Sequence, residues 1–317
     1  MGEIVEVNDI KIWYEEFGDS SNDTILLIMG ANANCKQWDK EFIYELVSNN
    51  YHVIRFDNRD VGKSTWFGKE PTYNKFLKFL PSILLKLFVN AIFGLAVDSK
   101  GKFKFGEASQ VQYDLSDMAK DAVCLMDALQ VKKAHIIGAS MGGMITQIIA
   151  LDYPERVKSI TPIMTTPGIQ NKSLSGPSKD LLNAMQKSFV MNLKGRVEDG
   201  IVEIYRQLIG SRFPFNEEEF RTRLNQIVEH GNNPYALHGA AIGASPDRSF
   251  RLNEINIPTL VIHGTEDSIL PLDHGEALAN GIKDSKRMFL EGVGHEIPEQ
   301  LYSEIINSIV DNFERVS

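Results

Sequence analysis

The sequence predicts an α/β fold, with a mostly parallel β-sheet that helices cover on both faces. The first observation is that short apolar runs alternate with stretches of helical spacing along most of the 317 residues, a pattern typical of βαβ units. The second is that several runs, such as residues 24–29, are apolar almost throughout, as expected of strands buried on both faces. Ligands of such sheets bind beyond the C-terminal ends of the strands.

The predicted strands begin with a hairpin. Residues 4–14 alternate with a period of two on either side of Asn8 and Asp9, which predicts two antiparallel strands at a sheet edge. Apolar runs predict six further strands, at 24–29, 51–56, 134–139, 157–164, 258–263 and 286–290.

Apolar residues spaced three and four apart predict the helices between these strands. The helices are expected at 38–48, 115–129, 141–153, 180–193, 197–208, 217–230, 235–242, 273–280 and 298–313. The second of them places Met118 and Leu125 on one face, and either Asp114 or Ser116 is its N-cap. Pro154 ends the third.

Two segments interrupt the alternation. Residues 66–112 form an insertion whose middle, 76–97, is strongly apolar, but Lys, Pro, Asn and Gly residues interrupt it too often to predict a membrane span. It is interpreted as an extra lid element over the site, a membrane-surface or partner-binding patch, or core filler, and we favour the lid. Residues 165–254 are mostly helical and predict a cap, so the core would comprise 1–164 and 255–317.

The composition argues against several classes of function. A net charge of −9 makes nucleic acid an improbable main partner, and no zinc-type spacing predicts a metal site. The two cysteines, Cys35 and Cys124, are expected to be free thiols. The first residues are acidic where a signal peptide would be basic and then apolar, so a cytoplasmic location is expected.

A candidate nucleophile lies where the strand at 134–139 meets the following helix. The stretch reads Gly138-Ala139-Ser140-Met141-Gly142. A serine flanked by small residues at a strand-to-helix turn is the nucleophile-elbow pattern, because the sharp turn leaves no room for larger neighbours. The motif by itself is weak and counts only in this context.

Two further residues follow later strands. Asp267 comes after the strand at 258–263, and His295 comes after the strand at 286–290. The order Ser, Asp, His, with each member in a loop at a strand end, is typical of α/β-hydrolases. Glu266 and Asp273 are rivals for the acid, whereas His263 and His135 are interpreted as structural.

The sequence resembles the α/β-hydrolase superfamily from about residue 4 to residue 313. The matching pieces are the elbow 138–143, His-Gly-Thr-Glu-Asp at 263–267, Gly-Val-Gly-His at 292–295, and the turn 57–64. Four stretches, 29–30, 57–60, 138–144 and 163–166, resemble more narrowly the aclacinomycin methylesterase-like branch. The superfamily usually has His-Gly after its third strand, and this chain has Met29-Gly30 instead; since the usual His is mainly structural, catalysis is expected to persist.

The resemblance implies a role for each residue. Ser140 would attack an acyl carbonyl, His295 would transfer the proton, and Asp267 would orient the imidazole. The amides of Ala31 and Met141 would form the oxyanion hole, and no metal or organic cofactor would be needed. In the turn 57–64, Asp57 and Arg59 are expected to form local hydrogen bonds.

Asn32 follows the oxyanion-hole position directly. It is a candidate substrate contact, with capping of its own loop as the equal alternative. The side chain of Met141 is expected to line the pocket.

The expected function is hydrolysis of carboxylic esters of small to medium, fairly apolar substrates. A cofactor-free perhydrolase or haloperoxidase would use the same triad, and a ligand receptor could retain it without turnover. The sequence predicts neither the substrate nor the oligomeric state.

Overall fold

The computed structural model describes residues 2–98 and 111–316, and within them it contains an eight-stranded sheet in the order β1-β2-β4-β3-β5-β6-β7-β8. The strands are β1 Glu3–Val7, β2 Ile10–Phe17, β3 Thr24–Ile28, β4 His52–Phe56, β5 Ala134–Ala139, β6 Val157–Ile163, β7 Leu260–Gly264 and β8 Lys286–Leu290. Strands β1 and β2 pair antiparallel, as do β2 and β4, and the other pairs are parallel. The predicted sheet and its edge hairpin are confirmed.

The helices outside the insertion lie close to their predicted positions. The helices of the described residues are α1 Lys40–Ser48, α2 Thr72–Leu77, α3 Ser82–Ala96, α4 Leu115–Ala128, α5 Met141–Asp152, α6 Lys179–Leu193, α7 Val197–Leu208, α8 Glu217–His230, α9 His238–Ala244, α10 Leu272–Gly281 and α11 Tyr302–Phe313, and α2 and α3 lie within the insertion 66–112. Of the two candidate N-caps of α4, Asp114 is the one used: its carboxylate accepts the amides of Ser116 and Asp117, and Asp117 bonds back to the Asp114 amide. Helix α11 begins later than predicted because residues 299–301 form a 3₁₀ turn first.

Strand β3 shows how the sheet is buried. Leu26 and Ile28 pack into one hydrophobic cluster with α4 and α5, whereas Ile25 and Leu27 pack into another with α1 and α11. All four side chains are fully buried. Each contributes about 1.5–3 kcal/mol on burial, so β3 is apolar at consecutive positions rather than at alternate ones.

The two irregular segments meet each other. Helices α6 to α9 lie in the chain between β6 and β7, where the helical segment was predicted. Helix α3 of the insertion packs against α6 through Leu85 and Val89, which contact Leu193. This cluster is separate from the two sheet clusters, so residues 76–97 do not fill the core of the sheet. Residues 99–110 of the insertion lie outside the described residues.

The described helices also bear on the membrane question. None of them is both long enough and apolar enough to cross a bilayer. Both cysteines are free thiols, as expected, with Cys35 buried and Cys124 half-buried.

Candidate active site

Ser140 occupies the sharp turn between β5 and α5. Its backbone has φ 54° and ψ −117°, a conformation that a residue with a side chain rarely adopts and that neighbouring structure must hold in place. The Ser140 amide donates to the Ile163 carbonyl at 2.9 Å, and the Thr165 hydroxyl donates to the Ser140 carbonyl at 2.7 Å. Strand β6 and the residues after it thus fix the turn from one side.

The two glycines of the elbow are required by close packing. A Cβ atom added to Gly138 would lie 2.2 Å from the Gly142 carbonyl oxygen, and one added to Gly142 would lie 2.1 Å from the Ile28 carbonyl oxygen. Both distances are far inside van der Waals contact. The backbone of α5 therefore crosses β3 and β5 so closely that only glycine fits, as the sequence argument expected.

Asp267 and His295 lie in the loops that follow β7 and β8, at the same edge of the sheet as Ser140. His295 Nδ1 is 2.6 Å from Asp267 Oδ2, and Asp267 Oδ1 accepts the amides of Ile269 and Leu270 at 3.0 and 2.9 Å. Both carboxylate oxygens are thus engaged, which fixes the carboxylate and, through it, the imidazole ring.

The electrostatics of the acid favour its charged form. Burial alone would raise the pKa of the Asp267 carboxyl, but the adjacent His295 imidazole, to which it is hydrogen-bonded, and the Leu270 amide hold it below its ordinary value. The two rivals bind elsewhere. Glu266 accepts the amide and hydroxyl of Ser211, and Asp273 accepts the Ser175 amide.

His263 lies behind the acid and is completely buried. Its Nε2 donates to the Leu270 carbonyl at 2.7 Å and lies 3.5 Å from Asp267 Oδ2, while its Nδ1 has no partner among the described residues. Burial lowers the pKa of this imidazole, so the ring is neutral. Its contacts are structural, as expected from the sequence.

The loop after β3 runs directly against the serine. A Cβ atom on Gly30 would lie 3.1 Å from Ser140 Cβ and 3.7 Å from its Oγ. Among the residues that the structure describes, neither the Ala31 amide nor the Met141 amide donates a hydrogen bond. Unsatisfied amides beside a nucleophile are the donors that a developing oxyanion requires.

Comparison with known proteins places the chain in a family. Residues 23–300 match the family described as alpha/beta hydrolase fold. The chain belongs to this family. Rhodomycin D methylesterase DnrP of Streptomyces peucetius is 26% identical, over 95% of this chain and 94% of its own length. The predicted resemblance to a methylesterase branch of α/β-hydrolases is therefore confirmed.

Solved structures agree with the fold of this α/β hydrolase. An esterase from Exiguobacterium antarcticum superposes with a TM-score of 0.71 at 17% identity, covering 99% of this chain and 100% of that one. A bromoperoxidase from Bacillus anthracis also gives a TM-score of 0.71, at 18% identity with 99% and 100% covered. At such identities the likeness concerns the fold alone.

The structure does not support the alternative that the Asn32 side chain caps its own loop. Its side chain is exposed and makes no hydrogen bond with another described residue, so it does not cap the loop; it stays a candidate substrate contact. The side chain of Met141, which was expected to line the pocket, is fully buried in the cluster between the sheet and α5. Its contribution to a pocket wall stays a prediction.

His238, at the start of α9, is a residue that sequence reasoning missed. Its Nδ1 accepts the Asn32 amide at 2.8 Å, and its Nε2 donates to the Arg59 carbonyl at 2.7 Å. The ring is fully buried, and burial lowers its pKa. A neutral imidazole with its proton on Nε2 therefore joins the loop after β3, called the oxyanion loop after its predicted role, to the turn after β4. No local sequence signal reveals this, since the partners are 206 and 179 residues away.

The turn after β4 is held by distant partners as well as by local ones, such as the Lys63 amide, which donates to Asp57. Arg59 donates to both oxygens of Asp121, at 2.6 and 2.7 Å, so the prediction of local bonds was wrong for Arg59. Asp60 Oδ2 accepts the Tyr113 hydroxyl at 2.6 Å and the Leu237 amide at 3.0 Å. This turn therefore ties α4 and the start of α9 to the sheet.

One group within residues 2–98 and 111–316 has donor atoms close enough to hold a metal: those of Cys35, Asp57 and His230 lie within 4.8 Å of one another. The Asp57 carboxylate already accepts the Cys35 and Lys63 amides at 2.9 Å and faces His230 Nε2 at 2.7 Å. Burial raises the pKa of the Cys35 thiol well above its ordinary value, whereas a metal binds the thiolate. These contacts brace the turn, and the absence of a metal site stays a prediction.

Proposed function

We propose that this chain is a serine hydrolase that cleaves carboxylic esters through an acyl-enzyme. The observation that carries the proposal is the 2.6 Å contact between His295 and Asp267, in strand-end loops at the sheet edge where Ser140 sits in its strained turn. The similarity to a methylesterase along nearly the whole chain supports carboxylic ester hydrolysis as the activity class.

The proposed chemistry assigns one task to each group. Ser140 Oγ attacks the acyl carbonyl while His295 takes its proton through Nε2, and the imidazolium then protonates the leaving alcohol. Asp267, ionised beside the ring, stabilises the imidazolium. The Ala31 and Met141 amides stabilise the oxyanion, and one such donor is typically worth about 3 kcal/mol of barrier. Water then hydrolyses the acyl-enzyme by the same steps, with no cofactor.

Substrate choice is proposed to lie with the helical segment 165–254, acting as a cap. Its link to the site through His238 supports this role. The expected substrates are small to medium esters with apolar groups, because pockets between a cap and a sheet are lined mostly by apolar side chains. A panel of p-nitrophenyl esters of increasing acyl length tests this preference.

Labelling with a fluorophosphonate probe tests the nucleophile. We expect one label per wild-type chain and none on Ser140→Ala, while Ser173→Ala, which changes an exposed serine, is labelled as the wild type is. If the wild type takes no label, the catalytic proposal fails.

Two alternatives are separated by related measurements. A perhydrolase would form peracetic acid from acetate and peroxide faster than it hydrolyses p-nitrophenyl acetate. A receptor would bind a ligand saturably with turnover near zero across the ester panel. A cytoplasmic location is proposed from the two free cysteines, and cell fractionation tests it.

A further inference from the structure

Helix α3 presents an unusually apolar surface to solvent. Thirteen large hydrophobic side chains are exposed among the described residues, and eight of them lie within residues 76–95. We call these eight the α3 patch: Phe76, Phe79, Ile83, Leu84, Leu87, Phe88, Ile92 and Leu95. Phe79 is 87% exposed and Leu95 is 76% exposed. Contiguous apolar surface of this kind marks an interaction site rather than random exposure.

The helix is firmly attached on its inner side. Leu85 and Val89 are buried against α6, and the Lys194 ammonium donates to the carbonyls of Lys78 and Leu80 at 3.0 and 2.6 Å. These contacts fix both the helix and the turn before it. The apolar outer side is therefore a fixed feature of the surface.

The polar residues of α3 form a narrow stripe. Ser82, Lys86 and Asn90 are four residues apart, so they line up on one side of the helix, between its buried and exposed faces. A helix whose apolar side is exposed and whose polar stripe carries a lysine can lie in a membrane interface, with its apolar side toward the acyl chains.

Charge distinguishes the candidate occupants. The chain as a whole carries −9, yet residues 69–98 contain four lysines and two acidic residues, with Lys78 paired to Glu70 at 2.5 Å. This stretch is therefore net positive. An interface between two copies would bring the same patch against itself, with like charges facing each other. An anionic lipid surface offers the opposite charge together with an apolar layer.

We propose that the α3 patch docks this protein onto anionic phospholipid membranes. The apolar side chains enter the boundary between headgroups and acyl chains, and Lys86 remains at the headgroup level. The patch lies outside the Ser140, Asp267 and His295 constellation, so the proposal does not rest on the proposed ester hydrolysis.

Sedimentation of the full-length protein with sucrose-loaded vesicles tests the proposal. Vesicles of phosphatidylcholine with a quarter phosphatidylglycerol are compared with vesicles of phosphatidylcholine alone. We expect the wild type to bind the anionic vesicles more tightly and to be released by high salt. The double variant Phe79→Ser/Leu87→Ser should weaken binding at least about tenfold.

Two controls separate docking from other effects. Phe250→Ser removes an apolar side chain that is 77% exposed outside the patch and should bind as the wild type does. Ser140→Ala should also bind the vesicles as tightly as the wild type does, because docking through the α3 patch does not require lipid to be held at the Ser140 site as a substrate. Thermal unfolding of each variant verifies that the exposed substitutions leave the fold intact.

Three results would overturn the proposal. The first is no sedimentation of the wild type with anionic vesicles. The second is equal loss in Phe250→Ser and in the patch variant. The third is a wild-type dimer, seen by sedimentation equilibrium, that the patch substitutions dissociate while vesicle binding is absent, since the patch would then be an interface between copies.

Discussion

His238 offers the sharpest test of how the oxyanion loop is held. Its two ring nitrogens serve two partners: Nδ1 accepts the Asn32 amide, and Nε2 donates to the Arg59 carbonyl. An asparagine at this position places an acceptor oxygen near where Nδ1 lies, whereas a glutamine reaches toward the position of Nε2. The pair His238→Asn and His238→Gln therefore removes one contact at a time.

The expected effects differ in kind. Each variant leaves one backbone group without its partner, which costs about 1–3 kcal/mol of unfolding free energy, so both are destabilised similarly. Only His238→Gln releases the Asn32 amide, next to the proposed Ala31 donor. If the Ala31 amide moves out of place, up to about 3 kcal/mol of transition-state stabilisation is lost. That loss corresponds to a decrease of up to about 160-fold in kcat with KM nearly unchanged, because the oxyanion exists only along the reaction path.

The assay is steady-state hydrolysis of p-nitrophenyl acetate beside urea unfolding of the same samples. His238→Asn should keep kcat within about threefold of the wild type, since the Asn32 contact persists. Equal kcat losses in both variants would refute the reasoning, because the loss would then follow general destabilisation. Unchanged kcat in His238→Gln would refute it as well, since the bond would not position the loop.

Three further predictions follow from single contacts. Asp267→Asn should lower kcat by about four orders of magnitude in the same assay, since an amide does not hold His295 in the required tautomer; a loss below tenfold would contradict the assignment. Gly142→Ala should destabilise the fold severely in thermal unfolding, because its Cβ would lie 2.1 Å from the last carbonyl of β3, whereas Gly239→Ala, with nothing within 4 Å, should be neutral or slightly stabilising. Burial lowers the pKa of His135 to about 4. This folded-state pKa lies below the unfolded value of about 6.5, so the stability that depends on a neutral His135 ring is fully present above about pH 6.5 and is lost as the pH falls. The unfolding free energy should therefore drop by about 2 kcal/mol between pH 7 and pH 5. Urea unfolding at both pH values should show a smaller drop in His135→Leu.

The strands and the candidate site could be predicted because both depend on local pattern. A strand such as β3, buried on both faces, is apolar at consecutive positions. The sequence shows this as the run 24–29, which is apolar almost throughout. The loops after parallel strands meet at one edge, so Asp267 and His295 were expected together although 28 residues separate them. Physical constraints on a tight turn likewise made the glycines around Ser140 informative.

The contacts that hold the site together could not be predicted in the same way. His238 reaches Asn32 across 206 residues, and Asp60 reaches Leu237 across 177. Such pairs depend on how the helical segment lies on the sheet, and no periodicity encodes that placement. A histidine in an amphipathic helix looks the same in sequence whether it faces solvent or accepts a buried amide.

The insertion is a second case in which the sequence pattern does not determine the environment of a helix. Helix α3 is apolar nearly all round, and this composition suits a core helix, a lid or a surface patch equally well. Only its partner decides, and that partner is α6, which covers Leu85 and Val89 and leaves the outer side exposed.

The link through His238 also bears on how the substrate and the chemistry are coupled. The helical segment 165–254, proposed to select the substrate, supplies the acceptor that holds the Asn32 amide. A displacement of α9 would therefore move the oxyanion loop as well as the wall of the pocket. Substitutions around α9 should then change kcat together with substrate preference. Substitutions in α6, which packs against α7 and α3, should change preference alone. Kinetics over the ester panel for variants in the two helices would separate these effects, and equal behaviour of both helices would show that the bond transmits nothing.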